Sequence, residues 1–161
     1  MNFLKITFGV LIALSASRLI PHPPNFTSLI AISFYVPAIL GQRYIIALLI
    51  SFLITDLIIG MHDLIFFTWG SVIVIGLISK YFVKNIYIRL IGAMSGALIF
   101  FILTNFGVWT TGFYGFTING LILCFILAIP FFTNTVLSTV FFSILIELTW
   151  AIMMKRNIKK I

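Results

Sequence analysis

A polar stretch near the N-terminus holds the residues of this sequence best suited to chemistry. Residues 17–27 contain Arg18, His22 and Asn25 together with three prolines, between segments that are almost entirely apolar. Polar side chains are costly in such surroundings unless they face water, a partner or a ligand. Because three prolines prevent a continuous helix, the stretch is predicted to be a stiff connection. Arg18 could hold an anionic ligand, or it could form an ion pair that only stabilises the fold.

The second group of polar side chains lies at residues 56–63 and contains Asp56, His62 and Asp63. Either carboxylate could pair with Arg18, and Asp56 could share a site with His62 if their helix ends at the glycine between them. The spacing matches no known set of metal ligands, so it favours a hydrogen-bonded network over a metal site. A membrane enzyme that uses these three side chains is a less favoured alternative, since they would have to converge on a cavity.

A third group, residues 104–115, combines Asn105, Trp109 and Tyr114 with three glycines. Aromatic stacking and amide hydrogen bonds suit an amphipathic ligand. An aromatic belt at the membrane interface would explain the tryptophan and the tyrosine equally well, but not the asparagine. Asn134, further along the chain, could cap the last helix or face the same site.

Motifs that carry catalysis do not occur in the sequence. It contains no phosphate-binding glycine loop, no zinc-protease histidine pair and no aspartate-rich prenyl-transfer motif. Cys124 is the single cysteine and is predicted to be a small apolar packing residue. We therefore expect neither an enzyme nor a bound cofactor, and any uphill transport would need an ion gradient or an ATP-hydrolysing partner.

The composition predicts an integral membrane protein. The chain is 62% hydrophobic and only 8% charged, whereas soluble domains carry about 25% charged residues. The net charge of +7 does not indicate nucleic-acid binding, because the basic residues lie beside apolar spans, as membrane orientation requires. Residues 1–161 are expected to form a single transmembrane domain in the lipid bilayer.

The apolar segments predict an all-α bundle of six transmembrane helices. Residues 118–131 form a further apolar segment, which we expect to be a short extra helix or re-entrant element near the outer face. With both termini in the cytoplasm of a bacterium, six crossings place every lysine and arginine except Arg18 on the cytoplasmic side of its inner membrane. The predicted spans are residues 4–20, 29–40, 44–59, 64–82, 90–103 and 136–154.

Small residues form a stripe on the first helix. Gly9, Ala13 and Ser17 are each four residues apart and therefore share one face. Such a stripe lets another helix approach closely in lipid. It could pack inside this bundle or dock onto a helix of a partner subunit, and the sequence favours neither.

The whole chain resembles the substrate-binding (S) components of energy-coupling factor (ECF) vitamin transporters. The resemblance rests on the small-residue stripe, on residues 55–60 and on residues 128–131. Residues 18–27 and 104–109 are also similar to an uncharacterised bacterial family of transport membrane proteins. The resemblance implies a six-helix bundle with an outward-facing ligand pocket. It also implies a first helix that docks onto a transmembrane coupling subunit with ATPases. The S components usually carry alanines where this stripe has Gly, Ala and Ser.

We therefore predict an uptake protein that binds a small, vitamin-like nutrient, anionic or amphipathic, in an outward-facing pocket. The alternative is a non-transporting structural or assembly subunit of a larger membrane complex, whose outer half would be tightly packed. The residues predicted to bind the substrate are Arg18, His22, Asn25, Asp56, His62, Asp63, Asn105, Trp109, Tyr114 and Asn134.

Overall fold

The computed structural model describes residues 3–158, with side chains for residues 3–155. This part of the chain is helical throughout, with turns and loops between the helices and no strand. Short 3₁₀ turns at Gln42–Tyr44 and Ser79–Tyr81 follow the second and fourth helices. The six α-helices of the described residues are α1 (Phe3–Leu19), α2 (Leu29–Leu40), α3 (Ile45–Ile59), α4 (Ile65–Ile78), α5 (Ile86–Thr110) and α6 (Ile118–Ile158).

Three helical segments are long and apolar enough to cross a membrane: Gln42–Ile59, Ile86–Thr110 and Ile118–Lys155. They indicate a membrane protein. Helix α5, with 25 residues, is about 37 Å long at 1.5 Å per residue, against about 30 Å for the hydrocarbon core. Helices α2 and α4 have 12 and 14 residues, fewer than the roughly 17 that a full crossing needs. Six crossings therefore stay a prediction.

The last helix differs from the sequence-based prediction. Residues 118–131 do not form a separate short helix or re-entrant element, because a single helix runs from Ile118 to Ile158 with Pro130 inside it. Packing on both sides of the proline supports this continuity. The ring of Phe101 on α5 lies 5.4 Å from that of Phe125 and 4.5 Å from that of Phe132. The backbone donor missing at the proline is thus offset by contacts of the flanking turns.

Helix α2 lies at the centre of the bundle and packs against α3, α4, α5 and α6. Its sequence is apolar on all sides, as expected for a helix buried all round. Ile30, Phe34 and Tyr35 are almost fully buried, and they form one core cluster with side chains of α4 and α5. A second cluster joins α1 to α3 and includes Leu14 and Phe52.

An ion pair inside the bundle joins α5 to α6. Arg89 donates from Nε and Nη2 to the two carboxylate oxygens of Glu147, at 2.6 and 2.7 Å. This fork geometry is the strongest form of a charge-assisted hydrogen bond. It neutralises Glu147, which is buried and would otherwise carry an uncompensated charge.

Glycine allows α5 to approach α2 closely at Gly92. A Cβ added there would lie 2.5 Å from the ring of Phe34 and 2.6 Å from Cβ of Phe82. Both neighbours belong to one packed cluster. Gly70 on α4 offers a matched contrast, since a Cβ added there would meet nothing within 4 Å.

Gly92→Ala should lower the free energy of unfolding by about 1–3 kcal/mol, because the new methyl group overpacks the interface between α5 and α2. Gly70→Ala should leave it unchanged or raise it by up to about 1 kcal/mol through helix propensity. Thermal unfolding of the detergent-solubilised proteins measures the difference. Equal melting temperatures for the two variants would contradict the close approach.

Candidate functional site

The site is built on an ion pair between the ends of α1 and α3. Arg18 Nη2 lies 2.6 Å from Oδ1 of Asp56, whose side chain is completely buried. Arg18 Nη1 also donates to the hydroxyl of Thr55, and the guanidinium lies 4.5 Å from the ring centroid of Phe52. The arginine is thus held by a carboxylate, a hydroxyl and an aromatic face at once.

Asp56 links a third helix to this pair. Trp69 on α4 donates from Nε1 to Asp56 Oδ2 at 2.9 Å. The carboxylate therefore connects α1, α3 and α4, and it offsets the positive charge of Arg18. Of the two uses predicted for Arg18, the structure places it in the ion pair, and Asp63 is exposed instead of serving as the partner.

A cavity of about 290 Å³, the polar cavity, lies beside this ion pair. It brings together Arg18, His22, Asn25 and His62, four of the residues predicted to bind a substrate. They come from the end of α1, the α1–α2 loop and the α3–α4 connection. Threonine hydroxyls and an apolar wall complete the lining, which also includes Thr27, Thr68, Thr135, Leu29, Ile30, Phe52, Ile59 and Phe100.

The α1–α2 loop is held in place by its own backbone and by α6. Asn25 adopts a left-handed conformation with a φ of 63°, which asparagine tolerates better than most residues. Asn134 on α6 donates from Nδ2 to the carbonyl oxygen of Pro24 at 3.0 Å, and Ser138 donates to that of Asn25 at 3.5 Å. Asn134 therefore positions the loop and is not itself part of the cavity lining.

The other predicted site residues lie outside the polar cavity. Asn105 donates from Nδ2 to the carbonyl oxygen of Phe101 within its own helix, at 2.7 Å. Trp109 packs against the ring of Phe116, with centroids 6.3 Å apart, and Tyr114 packs against the neighbouring Phe113. Asn105 and Trp109 thus lie on α5 and Tyr114 in the connection to α6, and Asp63 also does not line the cavity.

Sequence reasoning missed the hydroxyl groups of the site. Thr68 on α4 and Thr135 on α6 line the polar cavity, but threonines occur throughout these apolar helices and carry no distinctive spacing.

The Arg89–Glu147 pair was also missed. Its signal was the position of Glu147, an acidic residue within a long apolar segment. Within residues 3–155, no three His, Cys, Asp or Glu side chains are grouped so as to hold a metal ion.

A larger cavity of about 700 Å³, the apolar groove, lies between α1, α2 and α6. The small-residue stripe Gly9, Ala13 and Ser17 forms part of its lining. A Cβ added at Gly9 would meet nothing within 4 Å, so this end of the stripe faces open space. Ser17 is the exception, since its hydroxyl lies 2.7 Å from that of Ser28 on the loop side of α2.

Comparison with models of protein families finds a match over residues 2–161 to DUF6580, described as a family of unknown function. No curated protein and no solved structure matches the chain.

Arg18→Met should destabilise the protein by about 3–5 kcal/mol, because it leaves the carboxylate of Asp56 buried without its partner. The double variant Arg18→Met/Asp56→Leu should recover most of that loss, since it removes both charges. Denaturant or thermal unfolding in detergent measures the three stabilities. A double variant no more stable than Arg18→Met alone would contradict a carboxylate that depends on Arg18.

Proposed function

The chain belongs to DUF6580, and from its geometry we propose that it is a membrane uptake protein that binds a small nutrient in the polar cavity. The observation that supports this proposal is that Arg18, His22, Asn25 and His62 all line one cavity. These residues are up to 44 positions apart by their numbering, so a merely local turn does not explain their meeting. Polar groups that converge in a concave, otherwise apolar site are typical of ligand pockets.

The size and chemistry of the polar cavity limit the ligand. Its volume of about 290 Å³ lies just below the roughly 300–1,000 Å³ of known ligand pockets, so the ligand portion it holds must be small. Asn25 and His62 supply hydrogen-bond donors and acceptors, whereas the ring nitrogens of His22 lie 2.7 and 3.4 Å from the carbonyl oxygens of Pro23 and Arg18. The hydroxyls of Thr68 and Thr135 donate to backbone carbonyls of their own helices, and their oxygens can still accept. Because Asp56 already neutralises Arg18, this pair gives the cavity no net positive charge. Arg18 is therefore suited to orienting a polar group of the ligand and not to attracting a multiply charged one.

The open cavity favours this function over the alternative of a structural or assembly subunit. A subunit without a ligand would be expected to have a tightly packed outer half. Here the end of the bundle that carries Arg18 contains a cavity with hydrogen-bonding walls. Since the sequence carries no ATPase motif, we propose that a transmembrane coupling subunit with ATPases supplies the energy, as in the ECF transporters that the chain resembles.

The proposed location is the inner membrane of a bacterium, with both termini in the cytoplasm. Arg43 lies in the α2–α3 connection, while Lys80 and Lys84 lie in the α4–α5 connection. Lys155 lies near the other end of α6 from the α5–α6 connection. If each helix crosses once, these basic residues share one side and Arg18 lies on the other, as the positive-inside rule requires.

Alkaline phosphatase, which is active only outside the cytoplasm, tests this orientation. A fusion after Lys84 should be inactive and a fusion after Gly112 should be active, because the two connections would face opposite sides of the membrane. Enzyme activity normalised to the amount of fusion protein is the measurement. The reverse pattern would contradict the proposed orientation.

His62→Ala should remove most of a small molecule that co-purifies with the protein, because His62 lines the polar cavity. Asp63→Ala is the matched control, since its side chain is also exposed in the same connection but does not line the cavity. Native mass spectrometry of both variants and the unaltered protein measures the bound mass. Equal retention by the two variants would contradict ligand binding in the polar cavity.

A further inference from the structure

The polar cavity and the apolar groove lie on the two sides of the α1–α2 loop. Asn25 and Thr27 face the polar cavity, whereas Phe26 and Ser28 face the apolar groove. His22 lines both. The two spaces therefore adjoin at His22, with hydrogen-bonding groups in the lining of one and an apolar lining in the other.

The apolar groove is an open surface whose lining suits a hydrocarbon chain. On one side, Gly9 and Ala13 of α1 leave space that larger side chains would fill. On the other side, α6 presents Phe142, Ile146 and Trp150. The groove runs from His22 at the loop towards Trp150 on the last helix, and its surface is almost entirely apolar.

The other end of a ligand has a different environment. The polar cavity is bounded by Arg18, whose charge Asp56 offsets and whose side chain is only 14% exposed. Asn25 and His62 offer hydrogen bonds there. A head group with one negative charge and several acceptor atoms suits this lining better than a multiply charged one, because the ion pair supplies no net positive charge.

We propose that the ligand is a single-chain amphiphile with a small monoanionic head group, such as a carboxylate, in the polar cavity and an alkyl chain along the apolar groove. This inference rests on the proposed function and names its substrate class. A helix of a partner subunit could also enter the groove next to the small residues. It would not account for the hydrogen-bonding space on the other side of His22.

Quenching of tryptophan fluorescence by 12-bromododecanoate tests the inference, since Trp150 lines the groove. Gly9→Leu fills the groove from a position with free space, and Gly70→Leu is the matched control because a Cβ there also meets nothing within 4 Å. All proteins are titrated at one detergent concentration, so partitioning of the probe into micelles is the same. Comparison of the probe with its methyl ester measures how much the charged head group contributes to binding.

The unaltered protein and Gly70→Leu should show saturable quenching. Gly9→Leu should weaken it roughly tenfold or more, the equivalent of about two buried methylene groups. The methyl ester should bind about tenfold more weakly than the acid, because it lacks the charged acceptor. Absence of saturable quenching, or equal affinity of Gly9→Leu and Gly70→Leu, would overturn the inference. Equal affinity for acid and ester would show a site for the chain alone and would overturn it too.

The molecule that co-purifies with the protein separates this inference from the proposed function. A bound compound without an alkyl chain, lost in His62→Ala and kept in Gly9→Leu, would overturn the amphiphile and leave the proposed function standing. A bound amphiphile that His62→Ala and Asp63→Ala retain equally would contradict the polar cavity as the binding site. Native mass spectrometry of the three variants distinguishes these results.

Discussion

The ion pair between Arg18 and Asp56 is the contact on which the rest of the site depends. An arginine and a carboxylate in an apolar bundle cannot each remain charged without a partner, and their contact, 2.6 Å from Nη2 to Oδ1, joins the ends of α1 and α3. Trp69 adds α4 through the second carboxylate oxygen. Because α1 ends one residue after Arg18, the pair lies where the proline-rich loop begins.

The position of that loop explains why two cavities of opposite character adjoin each other. Three prolines keep the segment out of helical geometry, and hydrogen bonds from Asn134 and Ser138 attach it to α6. The side chains of Asn25 and Thr27 then face the lining with hydrogen-bonding groups, and those of Phe26 and Ser28 face the apolar one. A ligand with both characters can use both sides, which a purely polar nutrient could not.

The second ion pair stabilises a different part of the molecule. Arg89 and Glu147 connect α5 to α6 in the half of the bundle away from Arg18, next to the central helix α2. With α2 buried on nearly every side, the outer helices pack on it and on one another. The groove between α1 and α6 is left open because these two helices flank α2 without closing over it.

The sequence by itself determined the helical class, the bounds of α2 and α3 to within a residue or so, and the polar segments that matter, since these follow from apolar runs, prolines and scarce charged residues. It also singled out Arg18, His22, Asn25 and His62. Only the tertiary structure decided that Arg18 pairs with Asp56 and not Asp63, that Asn105, Trp109 and Tyr114 lie apart, and that residues 118–131 belong to one long helix. These outcomes depend on which side chains meet across distant segments, such as the rings that flank Pro130, and such contacts leave no periodic signal in the chain.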